Sequence, residues 1–229
     1  MSAPLILLVN GNSREELTAR MAGLARKRLD GLARVEPMTI SAAPPYISNR
    51  AEGVHAASAI LTALQGRIEE PDAPRPDAVM LACFGEPGLA ALRQVLPMPV
   101  TGMVEASLHT AFQLGRRVSI LTSGQDWPAQ IDDLLDLYGL RGRVMRITAL
   151  PDDAMRDEET IWRPALDAAL ERDARLGGAE AVILGGGPLA GRAAALTPPP
   201  GVRVIDAFDA TLWQSLALAG HTRPEGTAR

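Results

Sequence analysis

Two rhythms alternate along the chain. Short, nearly unbroken apolar runs recur: LILLVN (5–10), ARVEPMTI (33–40), AVMLAC (78–83), MPVTGM (98–103), RVSILT (117–122), RVMRIT (143–148), AVILGG (181–186) and VRVIDA (202–207). Between them lie longer stretches with apolar residues at helical spacing, such as SREELTARMAGLARKRL and PAQIDDLLDLYGL. A strand with one wet face would alternate polar and apolar residues. A continuous apolar run is expected where both faces are covered. The pattern therefore predicts an α/β fold, parallel sheet flanked by helices.

The apolar pattern also repeats. DAVMLACFGEPGLAAL (77–92) has a near-copy in EAVILGGGPLAGRAAAL (180–196), with Cys83 in one and Gly186 in the other. Pro87 and Pro188 follow at similar offsets and suit the first position of a helix. VTGMVEAS (100–107) aligns with VIDAFDAT (204–211), and LILLVNGNS with VSILTSGQD. The repeat predicts two pseudo-symmetric lobes, each a parallel sheet flanked by helices. The expected division is 1–100 plus 205–222 for the first lobe, 101–204 for the second, and a disordered tail, 223–229. Ligands of such sheets sit outside the carboxyl ends of the strands. Four ends matter here: NGNS (10–13), CFGE (83–86), TSGQ (122–125) and GGGP (185–188). The active site is expected in a cleft between the lobes.

Composition narrows the chemistry. With 229 residues and a net charge of -4, the chain carries no basic field for nucleic acid or an anionic membrane. No apolar run reaches the ~20 residues that span a bilayer. The N-terminus reads as a first strand, and a cytoplasmic location is expected, since the one cysteine cannot form an internal disulfide. Lys27, the only lysine, lies on a helical segment with a solvated face, which argues against a Schiff base or a P-loop. The three histidines, His55, His109 and His221, fit no metal spacing. No cofactor and no metal are expected, and the partner is a small molecule.

Cys83 is expected at the last residue of a strand, just before a helix beginning at Glu86-Pro87. A helix N-terminus lowers a thiol's pKa and favours the thiolate. The other ends are rich in glycine and small polar residues. Asn12, Ser13, Thr122 and Ser123, with the backbone of Phe84, Gly85, Gly186 and Gly187, suit a carboxylate or an enolate. Ser13, with Glu15 and Glu16 behind it, also reads as a helix cap. Tyr46, in APPYISNRAEG (43–53), is a candidate lid over the cleft. Trp127, Trp162 and Trp213 read as packing residues. GGGPLA fits G-x-G-x-x-A, with Asp206 ending the next strand, but little chain follows to complete a dinucleotide site.

Taken together, LLVNGNS, DAVMLACFGEPGLAALR, PVTGMVEAS, VSILTS and AVILGGGPLAG resemble the aspartate/glutamate/hydantoin racemase superfamily. The hydantoin and allantoin branch is nearest, through a CFGDPGL-like string. The resemblance implies a cofactor-independent isomerase, commonly a homo-oligomer. In it two cysteines, one from each lobe, flank an acidic carbon and exchange its proton. Cys83 matches the first cysteine. The second sits in an LGCAGMAG-like string in the family, and here LGGGPLAG puts Gly186 in its place. Glu86 stands where the family has aspartate.

Glycine has no proton to give, so ordinary two-thiol racemisation is not available to this chain. Three readings follow. One is a racemase-family enzyme acting on a carbon acid beside a carboxylate or hydantoin carbonyl, with Cys83 as acid/base and a second group from Glu105, His109, Asp126 or Asp206. The second is a lyase like arylmalonate decarboxylase, a superfamily relative with one thiol on the other lobe, or a nucleophilic Cys83 as in maleate isomerase. The third is a non-catalytic protein that binds small anions. A lowered thiol pKa is the expected mark of catalysis.

Overall fold

The computed structural model describes residues 3–221. The tail expected to be disordered, 223–229, lies outside them. The elements run β1 (Leu5–Asn10), α1 (Glu15–Arg28), β2 (Arg34–Thr39), α2 (Arg50–Glu69), β3 (Ala78–Leu81), α3 (Leu89–Val95), β4 (Val100–Gly102) and α4 (Met103–Leu114). They continue β5 (Val118–Ser123), α5 (Trp127–Leu137), β6 (Val144–Leu150), α6 (Glu159–Gly177), β7 (Ala181–Gly185), β8 (Arg203–Asp206) and α7 (Ala207–His221).

Each apolar run is a strand, and every pairing is parallel. The strands form two four-stranded sheets, ordered β2-β1-β3-β4 and β6-β5-β7-β8. The second order is the first with four added to each number, so the internal repeat is a repeat of topology. The inner strands β1, β3, β5 and β7 are buried along their whole length, which is why they lack polar alternation. β2 lies at an edge and tolerates Pro37, whose missing N–H removes no inner ladder bond.

The described residues divide into two compact units: 3–102 with 211–221, and 103–210. The crossings fall slightly later than 100/101 and 204/205, because β4 pairs with β3 through Gly102 and β8 pairs with β7 through Asp206. The expected first lobe had begun again inside β8. α7 instead starts in the second unit and joins the first at Thr211. There the Ser215 and Thr101 hydroxyls lie 2.5 Å apart in one hydrogen bond.

Helix patterns explain the packing. α1 buries Leu17, Met21, Ala22 and Ala25, spaced along one stripe, and leaves Lys27 exposed. Its first turn holds Glu15 and Glu16 and its last turn Arg26, Lys27 and Arg28, in the sense the helix dipole favours. α2 opens with a capping box in which Asn49 and Glu52 satisfy each other's backbone N–H groups. In the second unit, Trp162, Leu166, Ala169 and Leu170 of α6 share a buried cluster with Leu121 of β5 and Leu184 of β7. Each leucine so buried contributes about 2–3 kcal/mol.

Candidate active site

In the first unit the ends of β1 and β3 lie side by side, because Val9 pairs with Leu81. Ala82 N–H donates to the Val9 carbonyl at 2.8 Å and carries that register one step beyond the strand. The strand therefore ends at Leu81, and Cys83 stands two residues past it, in the turn. Gly11 makes this possible. A Cβ there would sit 3.0 Å from Cys83 Cβ and 3.3 Å from its Sγ. Such contacts are closer than side-chain carbons normally adopt, so the loop after β1 approaches the thiol through a bare backbone.

The turn from Cys83 to α3 is tight and unusual. Glu86 N–H donates to the Cys83 carbonyl at 3.1 Å, and Leu89 N–H to the Glu86 carbonyl at 3.1 Å. Glu86 has φ +49° and Gly88 φ +77°. A glutamate in the left-handed region is uncommon, and such strain tends to persist where the surroundings demand it. The Glu86 side chain is buried and fills the space that a Cβ on Gly102 would occupy. α3 begins at Leu89, with Gly88 before it. The sequence expectation of a helix starting at Glu86-Pro87 is thereby corrected.

The thiol's ionisation is corrected too. Burial pushes Cys83 up to about 11, with the Glu86 charge adding to the rise. The backbone dipoles of Gly85 and Glu86 nearby pull the other way, but less. The helix that follows in the chain, α3, begins only at Leu89 and has 7 residues. The residue as a whole is half-buried, and its sulfur rests as a neutral thiol. Phe84 is buried, so its ring belongs to the core and only its backbone is available to a ligand.

The NGNS loop is organised by a residue that sequence reasoning missed. Asn10 is buried, and its amide donates to Asn12 Oδ1 (3.0 Å), the Arg14 carbonyl (3.2 Å) and Thr18 Oγ1 (3.0 Å). Its Oδ1 accepts from Asn12 N–H at 3.4 Å. Arg14 N–H also donates to Asn12 Oδ1, at 3.0 Å. The Asn12 side-chain carbonyl is thus committed to the loop. Ser13 does not cap α1, whose N-cap is Arg14. Ser13 N–H instead donates to the Pro44 carbonyl at 3.2 Å, which ties this loop to the segment carrying Tyr46. That segment is anchored by buried Ala43 and Ile47, while Tyr46 is exposed. A polar residue at the end of an otherwise apolar strand was the signal that could have found Asn10.

In the second unit β5 ends in Thr122 and Ser123, both buried. Thr122 pairs with Gly185, so Ser123 and Gly186 leave adjacent strands together. Gly186 has φ +131°, a conformation open to glycine and strained for any L side chain. A Cβ built there would lie 3.2 Å from Ser123 Oγ. Beyond it, Asp206 holds the loop: Gly191 N–H donates to Asp206 Oδ2 at 2.7 Å, while Phe208 N–H donates to Oδ1 at 3.0 Å. Burial first, then the neighbouring Asp209, pushes Asp206 up to about 6. Arg192 donates to the Ala154 and Arg156 carbonyls and stacks over the Trp162 ring at 4.8 Å. These two charged residues fasten the glycine loop at its far end, a role the sequence did not announce. Trp127 and Trp162 are buried as expected, but Trp213 is exposed.

The four second-acid candidates, Glu105, His109, Asp126 and Asp206, all fall in the second unit. His109 and Asp126 are exposed. Among the described residues, no group of three or more His, Cys, Asp or Glu side chains is placed to hold a metal. No helix among them is long and apolar enough to cross a membrane.

The profile of Asp/Glu/hydantoin racemases matches residues 6–215, both units and both glycine-rich loops. The chain belongs to that family. It is therefore an enzyme of the racemase class of isomerases. A hydantoin racemase of Rhizobium meliloti is 29% identical over 222 residues, covering 94% of this chain and 88% of that protein. A hydantoin racemase of Pseudomonas sp. (strain NS671) is 38% identical over 136 residues, which are 57% of this chain and 53% of that one. The solved allantoin racemase from Klebsiella pneumoniae superposes with a TM-score of 0.85 at 27% identity, covering 96% of this chain and 89% of that one.

Proposed function

We propose that this racemase-family enzyme works without a cofactor on a small carbon acid. The acidic C–H is flanked by a hydantoin carbonyl or a carboxylate, and Cys83 is the proton-transfer group. The observation that carries the reading is the setting of Cys83. It is the thiol in the turn just past an inner strand, it lies against a bare Gly11 backbone, and the strained turn at Glu86 closes on its carbonyl. The ring carbonyls of a hydantoin, or the oxygens of a carboxylate, suit the first unit's N–H-rich turn and Ser13 hydroxyl, and the second unit's glycine turn with Thr122 and Ser123 offers donors of the same kind. Phe84, Gly85, Gly186 and Gly187 contribute backbone only, and Asn12 contributes the amide end of its side chain. The hydantoin and allantoin racemases among its relatives support that substrate class.

A thiol raised to about 11 is stored as an acid. It is ready to deliver a proton to a carbanion and poorly prepared to attack a carbon, which disfavours the nucleophilic reading. The same fact, with glycine at 186, supports a second reading: a decarboxylase that protonates its enediolate on one face only.

Proton NMR in D2O tests both. Single enantiomers of 5-methylhydantoin and allantoin are expected to exchange the acidic proton, and Cys83→Ala to lose at least ~10²-fold in rate. A Cys83→Ala protein that folds and exchanges at full rate would sink the assignment of the thiol. Turnover of a prochiral malonate to one enantiomer, without exchange of hydantoins, would select the decarboxylase.

A further inference from the structure

Glu86 is placed at a cost. Among the described residues it is the one non-glycine with a left-handed backbone, φ +49°. Glycine, asparagine and aspartate enter that region readily, and glutamate does not. Its carboxyl is also taken out of water, with only 4% of the residue exposed. Backbone strain and a buried carboxylate each oppose folding, and such outliers gather where a site demands them. Glu86 N–H closes the turn on the Cys83 carbonyl at 3.1 Å. Its carboxyl then lies over Gly102, the last residue of β4. Gly102 is the register partner of Leu81, two residues before Cys83. A carboxylate is thereby held at the carboxyl end of the strand next to the thiol's own, and its charge acts on the sulfur. The other neighbours of the turn carry no titratable group: Leu89 of α3 lies beside Gly102, Ala57 of α2 meets Gly88, and Ile60 of α2 meets Gly11. The charged side chains of these elements are engaged or exposed. Arg93 donates to the Val100 carbonyl, Glu52 completes the α2 capping box and Arg67 pairs with Glu36. Arg14, Arg50, His55 and Glu69 are exposed.

We propose that Glu86 is a positioning residue for Cys83: the left-handed turn fixes its buried carboxylate beside the sulfur, where its charge makes the thiolate a stronger base toward a carbon acid. This rests on the carbon-acid reading above. A C–H beside a carbonyl is a weak acid, and the rate at which a base removes its proton rises with the strength of that base. In the step itself the C–H bond breaks, S–H forms on Cys83, and the electron pair left on carbon spreads onto the neighbouring carbonyl oxygen. Return of the proton reverses each change. A carboxylate near the sulfur favours S–H over thiolate. It therefore drives the removal of the proton while lowering the share of enzyme in the reactive form. These effects oppose each other, so Glu86 governs the rate per thiolate more than the overall rate.

The test compares wild type with Glu86→Gln, and Glu86→Asp with Glu86→Asn. Each pair matches in shape and differs in charge, and aspartate and asparagine both accept the left-handed turn. The thiolate is titrated by its ultraviolet absorbance, as the difference from Cys83→Ala. Deuterium exchange of 5-methylhydantoin is followed by NMR in D2O on the same proteins. The neutral member of each pair is expected to titrate ~1 pH unit lower, which gives ~10-fold more thiolate at neutral pH, while exchange rises only ~3-fold. The rate per thiolate thus falls ~3-fold. An unmoved titration in both neutral variants, or an unchanged rate per thiolate, reduces Glu86 to packing and overturns the proposal, with the function left standing. No Cys83-dependent exchange by the wild type overturns the carbon-acid reading itself, and the proposal with it. Circular dichroism confirms the fold at each pH, and where Glu86→Gln does not fold the Asp/Asn pair decides.

Discussion

The ionisation of Cys83 can be tested without knowing the substrate. Because Cys83 is the chain's only cysteine, every alkylation event reports this one site. With the thiol at about 11, the thiolate fraction at pH 7.5 is roughly 3 × 10⁻⁴, against about one tenth for an unperturbed cysteine near 8.5. Ionisation alone then slows iodoacetamide about 300-fold relative to a free thiol, before any shielding by the loops around it. The second-order rate, followed by mass spectrometry, is expected to climb about ten-fold per pH unit up to pH 10, with circular dichroism confirming the fold at each point. Glu86→Gln removes the nearby anion and moves the curve toward lower pH. It should not return to the ordinary range, because burial is the larger cause. A plateau already reached below pH 8.5 in the folded wild type would refute the reasoning. It would mean that the Gly85 and Glu86 backbone dipoles outweigh desolvation and that the enzyme rests as a thiolate.

Other consequences are independent of that one. Gly186→Cys, the obvious restoration of a second thiol, places an L side chain at φ +131° beside Ser123 Oγ. It is expected to cost ~1–3 kcal/mol of stability, seen in urea titration, unless the loop reshapes. Asp206 is raised in the folded state from an ordinary 3.8 to about 6. Its contribution to stability is therefore full below pH ~4 and lost as pH rises through 6, by up to about 3 kcal/mol. Asp206→Asn, which keeps the acceptor for Phe208, should flatten that part of the stability–pH curve, and an unchanged slope would contradict the shift. Asp173 of α6 is fully buried, with Ser119 beside it, and neither carboxylate oxygen completes a hydrogen bond. Burial raises its pKa despite Arg146 and Arg172. Asp173→Asn should thus raise the melting temperature at pH 8 by ~2–4 °C, about 1 kcal/mol for a chain of this size, and a fall would show the charge to be stabilising.

Apolar continuity was enough to place all eight strands, because a strand buried on both faces has no other way to be written. The repeat of Ala78–Cys83 in Ala181–Gly186 likewise foretold two sheets of the same order, since equivalent strands meet equivalent neighbours. Cys83 and the family were legible in the string CFGEPGL. What the sequence could not carry was geometry set by contacts distant along the chain. Whether Cys83 ionises easily depends on its burial and on the Glu86 charge beside it, both set by packing; they turned a thiol expected to be acidic into one held at about 11. The role of Asn10 and the clamp of Asp206 on Gly191 are hydrogen bonds made across loops, and no spacing rule encodes them. The hydroxyl of Ser123 comes beside Gly186 only through the pairing of β5 with β7. Local residue types wrote the elements and the candidate chemistry, while the pKa values and the partners of each group were decided by packing, because desolvation and hydrogen bonding act through space and not along the chain.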